Sequence, residues 1–128
     1  MKGTRSMFKT SLSLVLLLTS MGTALAEDLF TPTLFVQAPD GFACNLTNVS
    51  GEAGTARVQI ISNGAVLEDS GGITVEPRNT ANYTVVGLAN GGPIYCDFTV
   101  DSKKLYRGDA KLYHPGTNES DFLVISAQ

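Results

Sequence analysis

The sequence predicts a small all-β sandwich domain that carries one disulfide and follows a secretory leader. Three observations support this prediction. Two segments alternate between apolar and polar side chains, the period of a strand, and each places one of the two cysteines on its apolar side. Turn-forming residues recur between short strand-like segments, with no sustained helical period after the leader. The first 26 residues have the layout of an export signal.

The N-terminus predicts a signal peptide over residues 1–26, followed by a single β-sandwich domain over residues 27–128. Its positive region, apolar run and cleavage motif are Lys2, Arg5 and Lys9, then residues 14–18, then Ala24-Leu25-Ala26. Serines and threonines interrupt the apolar run, which therefore falls short of the roughly 20 residues of a membrane span. We expect cleavage near Ala26 and a periplasmic or extracellular location.

The charge balance limits the class of partner. Without the leader the chain has six bases against twelve acids, a net formal charge of −6. A negative domain is poorly suited to the phosphate backbone of nucleic acid, which attracts clustered positive charge. The expected partner is another secreted or envelope protein, and the oligomeric state is left open.

The first half of the domain divides into strands at clear turn signals. Residues 27–33, which contain Pro32, are predicted as a lead-in segment, and residues 34–38 as the first strand. Pro39-Asp40-Gly41 has turn chemistry, because proline presets one dihedral angle and glycine permits positive φ. The Cys44 strand follows at 42–49.

A hairpin comes next in the sequence. Strand 55–62 turns Val58 and Ile60 inward, and Asn63-Gly64 leads to a return strand at 65–68. Asn-Gly is the strongest short hairpin signal, because a type I′ turn needs positive φ at both central residues.

The second half supplies the remaining strands. They are predicted at 73–75, 81–88, 94–100, 105–113 and 122–127, with a polar loop at 115–120. In the run 94–100, Ile94, Cys96 and Phe98 share the apolar side. Two inward cysteines in an oxidising compartment predict a Cys44–Cys96 disulfide.

The layout resembles immunoglobulin-like sandwich domains, and small secreted bacterial proteins of this layout that have no established activity. The features that carry the resemblance are Cys44 and Cys96, Asn48-Val49-Ser50, Asn63-Gly64, and Val75-Glu76-Pro77 leading to Thr80. It implies a single immunoglobulin-like antiparallel β-sandwich with one disulfide between strands. Two features depart from the antibody pattern. The chain has no tryptophan, and Ile94 occupies the position two residues before the second cysteine, where antibody domains have tyrosine.

Catalytic chemistry has one candidate, His114, the only histidine in the chain. A triad would need this imidazole, with Asp109 or Asp121 to orient it. No Gly-x-Ser-x-Gly motif accompanies it. We therefore assign no catalytic residue and favour a surface role for His114.

No cofactor or metal is expected either. Zinc and copper sites need several cysteine or histidine ligands, which this chain lacks. A calcium site is a weak alternative, either near Glu68-Asp69 or on Asp97 with Asp101 and Asp109. The chain has no EF-hand loop to support it.

Most of the mature positive charge lies in one segment: Lys103, Lys104, Arg107 and Lys111. This segment is a candidate interaction patch, although lysines also protect a sheet edge from pairing. It contains Arg107-Gly108-Asp109, an adhesion tripeptide that the alternation places in mid-strand rather than at a loop tip.

Four Asn-x-Ser/Thr acceptors occur, at Asn45, Asn48, Asn82 and Asn118. In a eukaryotic source, Asn48 and Asn118 are expected in turns that a glycan could reach.

Taken together, these features favour a non-catalytic secreted β-sandwich module that acts by surface or strand-edge interaction, in an envelope, adhesion or accessory role. The alternative is a small secreted hydrolase or protease inhibitor using loop residues around His114. Sandwich folds host both classes.

Overall fold

The computed structural model describes residues 26–114 and 123–128, which form two antiparallel sheets and one short 3-10 turn, Lys103–Leu105. In chain order the strands are β1 (Glu27–Phe30), β2 (Leu34–Val36), β3 (Gly41–Asn48), β4 (Gly54–Ser62), β5 (Ala65–Asp69), β6 (Ile73–Val75), β7 (Thr80–Val85), β8 (Gly92–Val100), β9 (Tyr106–Tyr113) and β10 (Leu123–Ser126). The predicted signal peptide lies outside the described residues, apart from Ala26.

The two sheets differ in size. The six-stranded sheet has the order β1-β8-β4-β5, with β2 also paired to β8 and β6 also paired to β4. The four-stranded sheet has the order β10-β9-β3-β7. The pairings are antiparallel throughout, and β8 and β3 lie inside their sheets with partners on both sides. This arrangement confirms the predicted all-β sandwich.

The core lies between β3 in one sheet and β8 with β4 in the other. The alternation predicted for these strands is present, since Val58 and Ile60 of β4 are fully buried while Arg57 is exposed. The fully buried apolar side chains that β3 and β8 contribute are Phe42, Cys44 and Leu46, and Ile94, Cys96 and Phe98. The inward faces of the two sheets therefore pack on each other, as in sandwich folds.

The predicted disulfide is confirmed. Cys44 on β3 and Cys96 on β8 are bonded across the two sheets, with their Cα atoms 5.8 Å apart and both side chains fully buried. No other cysteine exists in the chain. The bond joins the centres of the two sheets covalently.

Small residues make room for two rings of the core. A Cβ atom added to Gly54 would overlap the Tyr106 hydroxyl oxygen, and one added to Gly108 would lie 2.7 Å from the Phe98 ring. Tyr106 is 1 % exposed, and burial together with Asp101 raises its pKa to about 12. Glycine is therefore required at both positions by close packing.

The turn chemistry is partly confirmed. Asn63 and Gly64 have φ of 51° and 75°, as a type I′ hairpin between β4 and β5 requires. The predicted strand 81–88 ends earlier, at Val85, because Gly87 takes a φ of 61° and the Leu88 amide bonds the Asp40 carbonyl. The predicted lead-in segment 27–33 also differs from the structure, because its first four residues form strand β1 and pair with β8.

Replacing both cysteines by alanine should lower the free energy of unfolding by about 4 kcal/mol, since the bond closes a loop with a sequence separation of 52 residues. Urea unfolding monitored by tyrosine fluorescence measures the change. A loss below about 1 kcal/mol would show that the unfolded chain gains little freedom when the bond is removed.

Candidate functional site

His114 follows the last residue of β9 and contacts a carboxylate that the sequence pattern does not single out. Its Nδ1 lies 2.5 Å from Oδ1 of Asp40, in the turn before β3. The expected partners were Asp109 and Asp121. Asp109 instead accepts a hydrogen bond from the side-chain Nδ2 of Asn45, 2.8 Å from its Oδ1. Asp121 lies outside the described residues.

The turn before β3 holds Asp40 in place. Its amide donates to the Gln37 carbonyl at 2.7 Å, and its Oδ2 accepts from the Gln37 amide at 3.2 Å. The side chain of Asp40 is 7 % exposed, whereas that of His114 is 47 % exposed. The hydrogen bond with His114 lowers the pKa of Asp40, against the opposing effect of burial. Asp40 can therefore act as a fixed acceptor that orients the imidazole.

The four residues of the candidate basic patch lie in the 3-10 turn and on β9. Lys103 and Lys104 are exposed in the 3-10 turn before β9. Arg107 and Lys111 lie on the outer face of β9, four residues apart, which is roughly 13 Å along a strand. Asp109 lies between them on the same face, and Arg107 donates to the Tyr106 carbonyl. The adhesion tripeptide therefore lies in mid-strand, as the sequence predicts.

Short polar side chains connect three strands on the outer face of the four-stranded sheet. Asn45 of β3 donates to Asp109 of β9, and it accepts from the Asn82 amide of β7 at 2.5 Å. Asn45 is only 8 % exposed despite facing outward. Asn45 and Asn82 begin two of the four glycosylation motifs, and the side chains of both are engaged in these bonds between strands.

The expectation that Asn48 lies in an accessible turn is wrong. Asn48 ends β3 and is fully buried. Its Nδ2 donates to the Glu52 and Val75 carbonyls at 2.7 and 2.9 Å, and its Oδ1 accepts from the Ser50 amide and hydroxyl. Asn48 thus bonds main-chain groups of the β3–β4 connection, at Ser50 and Glu52, and the Val75 carbonyl of β6. Asn118 lies outside the described residues.

One side of the sandwich presents an open strand edge. Within residues 26–114 and 123–128, β7 pairs only with β3, so its other edge makes no strand pairing, although β5 of the opposite sheet approaches it. One groove borders β7 itself, and a second borders the segment that follows β7. The groove beside β6, of about 300 Å³, includes Ile73, Ala81 and Tyr83, and the groove beside β5, of about 360 Å³, includes Leu67 and Leu88.

Two kinds of feature are absent from the described part of the chain. No three side chains of histidine, cysteine, aspartate or glutamate gather there as a metal-binding group. None of its helices has the length and apolar character that crossing a membrane requires.

Comparison with known proteins relates the chain to one solved structure. No protein-family model matches it, and neither does any curated protein. It is similar to the crystal structure of Thermotoga maritima 1070, with a TM-score of 0.56 and 10 % sequence identity over 80 % of this chain and 93 % of that one. The two chains share a fold. At this identity the likeness carries no activity from one protein to the other.

Replacing Asp40 by asparagine should make the protein less stable at neutral pH and remove part of its acid sensitivity. A carboxyl whose pKa is lowered by folding stabilises the protein above its unfolded pKa, near 4, and this contribution is lost as pH falls through the folded value. Thermal unfolding of both proteins between pH 2 and pH 7 tests this, with Glu52→Gln as a charge-matched control. Midpoints that differ equally at pH 2 and pH 7 would contradict it.

Replacing Asn48 by alanine should destabilise the protein by at least about 2 kcal/mol, because the Val75 carbonyl loses a donor, the Glu52 carbonyl loses one of two, and the Ser50 amide loses its acceptor. Asn90→Ala, an exposed loop asparagine, should change stability little. Urea unfolding compares the two. Equal, small effects would show that water satisfies both carbonyls.

Proposed function

We propose that the protein is a non-catalytic secreted module that binds another protein by adding a strand of that partner to the edge of β7. The observation that carries this proposal is the chemistry of the edge. Proteins protect exposed strand edges with lysine, proline, bulges or short strands. The six residues Thr80–Val85 contain no charge and no proline, and they pair with β3 without a break in register.

The surroundings of the edge support an added strand. A strand placed beside β7 would bond its main chain to β7 and turn alternate side chains toward the interior of the sandwich. The grooves on that side are lined in part by apolar side chains, including Ile73, Ala81 and Tyr83 at one end and Leu67 and Leu88 at the other. Main-chain bonds would provide affinity, and the fit of alternate side chains would provide specificity.

Secretion is part of the proposal. It is supported by the predicted signal peptide and by the oxidised cysteine pair, which is typical of exported proteins. The first strand, β1, begins at Glu27, directly after the predicted cleavage site. The expected partner is therefore a secreted or envelope protein, and the role is envelope, adhesion or accessory.

We also propose that the sandwich is a variant of the immunoglobulin-like type. The disulfide between internal strands of opposite sheets supports this assignment. Its variant character lies in β9, which follows the second cysteine strand and pairs with β3 rather than with β8.

A hydrolase or inhibitor around His114 is the second candidate, and the Asp40–His114 pair is the observation that favours it. A carboxylate bonded to imidazole Nδ1 is the orienting half of a catalytic triad. Turnover of an ester or peptide substrate that His114→Ala abolishes would establish this function and contradict the binding module.

Photo-crosslinking tests the binding proposal. A photoreactive phenylalanine analogue at Val86, which is 71 % exposed and follows β7, should crosslink to the partner in the native source, and mass spectrometry identifies it. Adding Thr84→Lys to β7 should abolish the adduct and weaken the purified complex at least tenfold, because edge lysines oppose pairing.

The matched control is Val49→Lys, an exposed position just beyond β3 and seven residues from Phe42, the partner of Val85, which should retain the adduct. Thermal unfolding confirms that both lysine variants are folded. Absence of any adduct, or an adduct that Thr84→Lys leaves unchanged, would overturn binding at this edge.

A further inference from the structure

The outer face of the six-stranded sheet is divided into an apolar half and a charged half. The register places Tyr95 beside Ile61, and Ile61 beside Val66. The next row along the strands contains Phe30, Asp97, Gln59 and Asp69. Phe35 is paired with Pro93, two residues before Tyr95 on the same face of β8. We call the surface formed by Phe30, Phe35, Ile61, Val66, Tyr95 and Asp97 the Asp97 face.

The apolar half is open to solvent. Phe35 is 76 % exposed, Val66 51 % and Phe30 46 %. The rings of Phe30 and Tyr95 contact each other with centroids 6.4 Å apart. An adjoining group of exposed apolar side chains on one face is typical of an interaction site rather than of ordinary surface.

Asp97 lies at the boundary of the two halves and lacks a donor. Its Oδ1 is buried and makes no hydrogen bond. The nearby donors are committed elsewhere: Arg57 and Gln59 on β4 both bond Asp69, and Thr99 on β8 itself bonds Asp28. Burial and the nearby Asp28 raise the pKa of Asp97, while Arg57 opposes them. An unpaired buried acceptor is costly, and a partner that displaces the side chains covering Oδ1 and donates to it would relieve that cost.

The charge of this face selects the kind of donor. Among the described residues, the register places three carboxylates on this side of the sheet, those of Asp28, Asp69 and Asp97, and one cation, Arg57, which is already paired with Asp69. Aromatic rings stand on two sides of Asp97, with Phe30 opposite it on β1 and Tyr95 two residues away on β8. A guanidinium is the group that suits both features, because it bonds carboxylates in a fork and stacks on aromatic rings.

We propose that the Asp97 face binds an arginine-bearing segment of a protein partner, with the guanidinium on Asp97 between Phe30 and Tyr95. Apolar side chains that flank the arginine cover Phe35 and Val66. This surface lies on the opposite sheet from β7, so it is a second binding site whose existence does not depend on the edge interaction proposed above.

Selection from a random seven-residue peptide display library tests the proposal, with protein produced from the full-length sequence as bait. Peptides retained by the unaltered protein should be enriched in arginine beside aromatic or aliphatic residues. A selected peptide should bind at least tenfold more weakly when its arginine is replaced by citrulline, which keeps the shape and removes the charge. Asp97→Asn should weaken binding by a similar factor.

Two controls separate binding at the Asp97 face from a general effect of negative charge and from binding at the β7 edge. Glu52→Gln removes one carboxylate from the β3–β4 loop and should leave peptide affinity unchanged. Thr84→Lys on β7 should also leave it unchanged. Asp97→Asn should not lower the thermal midpoint, since Asp97 Oδ1 has no partner to lose.

The proposal is overturned if no peptide is enriched, if arginine is not enriched, or if Asp97→Asn selects the same peptides with the same affinity. Loss of peptide binding in Thr84→Lys would also overturn it, because the peptide would then occupy the β7 edge. Failure of the crosslink at Val86 would bear only on the edge.

Discussion

The disulfide between Cys44 and Cys96 and the apolar layer around it are the constraint on which the other features depend. The bond joins two internal strands, each of which has partners on both sides in its own sheet. With β3 and β8 joined, the two sheets cannot slide, so their outer faces and edges keep fixed positions. Functional residues can then lie on the outer surfaces, which the core holds in fixed positions.

Local patterns predicted the parts of the fold that depend on local chemistry. Alternation placed the cysteines inside, and Asn63-Gly64 marked its hairpin because that turn needs positive φ at both residues. Strand ends were less predictable. Strand β7 ends at Val85 because the Leu88 amide is taken by Asp40, a partner 48 positions away in the chain, and no local pattern contains that contact.

The candidate site depends on contacts of the same distant kind. The sequence shows His114 as the one imidazole and predicts Asp109 or Asp121 as its carboxylate partner, whereas the structure places Asp40, in the turn before β3, against it. The sequence indicates Asp97 only as one carboxylate of a weak calcium candidate with Asp101 and Asp109. Its exposure to aromatic side chains follows from the register of β1 against β8, and its missing donor follows from the pairing of Arg57 with Asp69.

The burial of Asn48 has a practical consequence for producing the protein. Oligosaccharide is transferred to nascent chains in the eukaryotic secretory pathway, and Asn48-Val49-Ser50 is an acceptor sequence. A sugar attached to Nδ2 before folding would occupy the nitrogen that must later bond the Glu52 and Val75 carbonyls, in a position with no access to solvent. Yeast or mammalian secretion would therefore divide the product into a native fraction without sugar at Asn48 and a glycosylated fraction unable to close the β3–β4 connection, whereas bacterial export avoids that division.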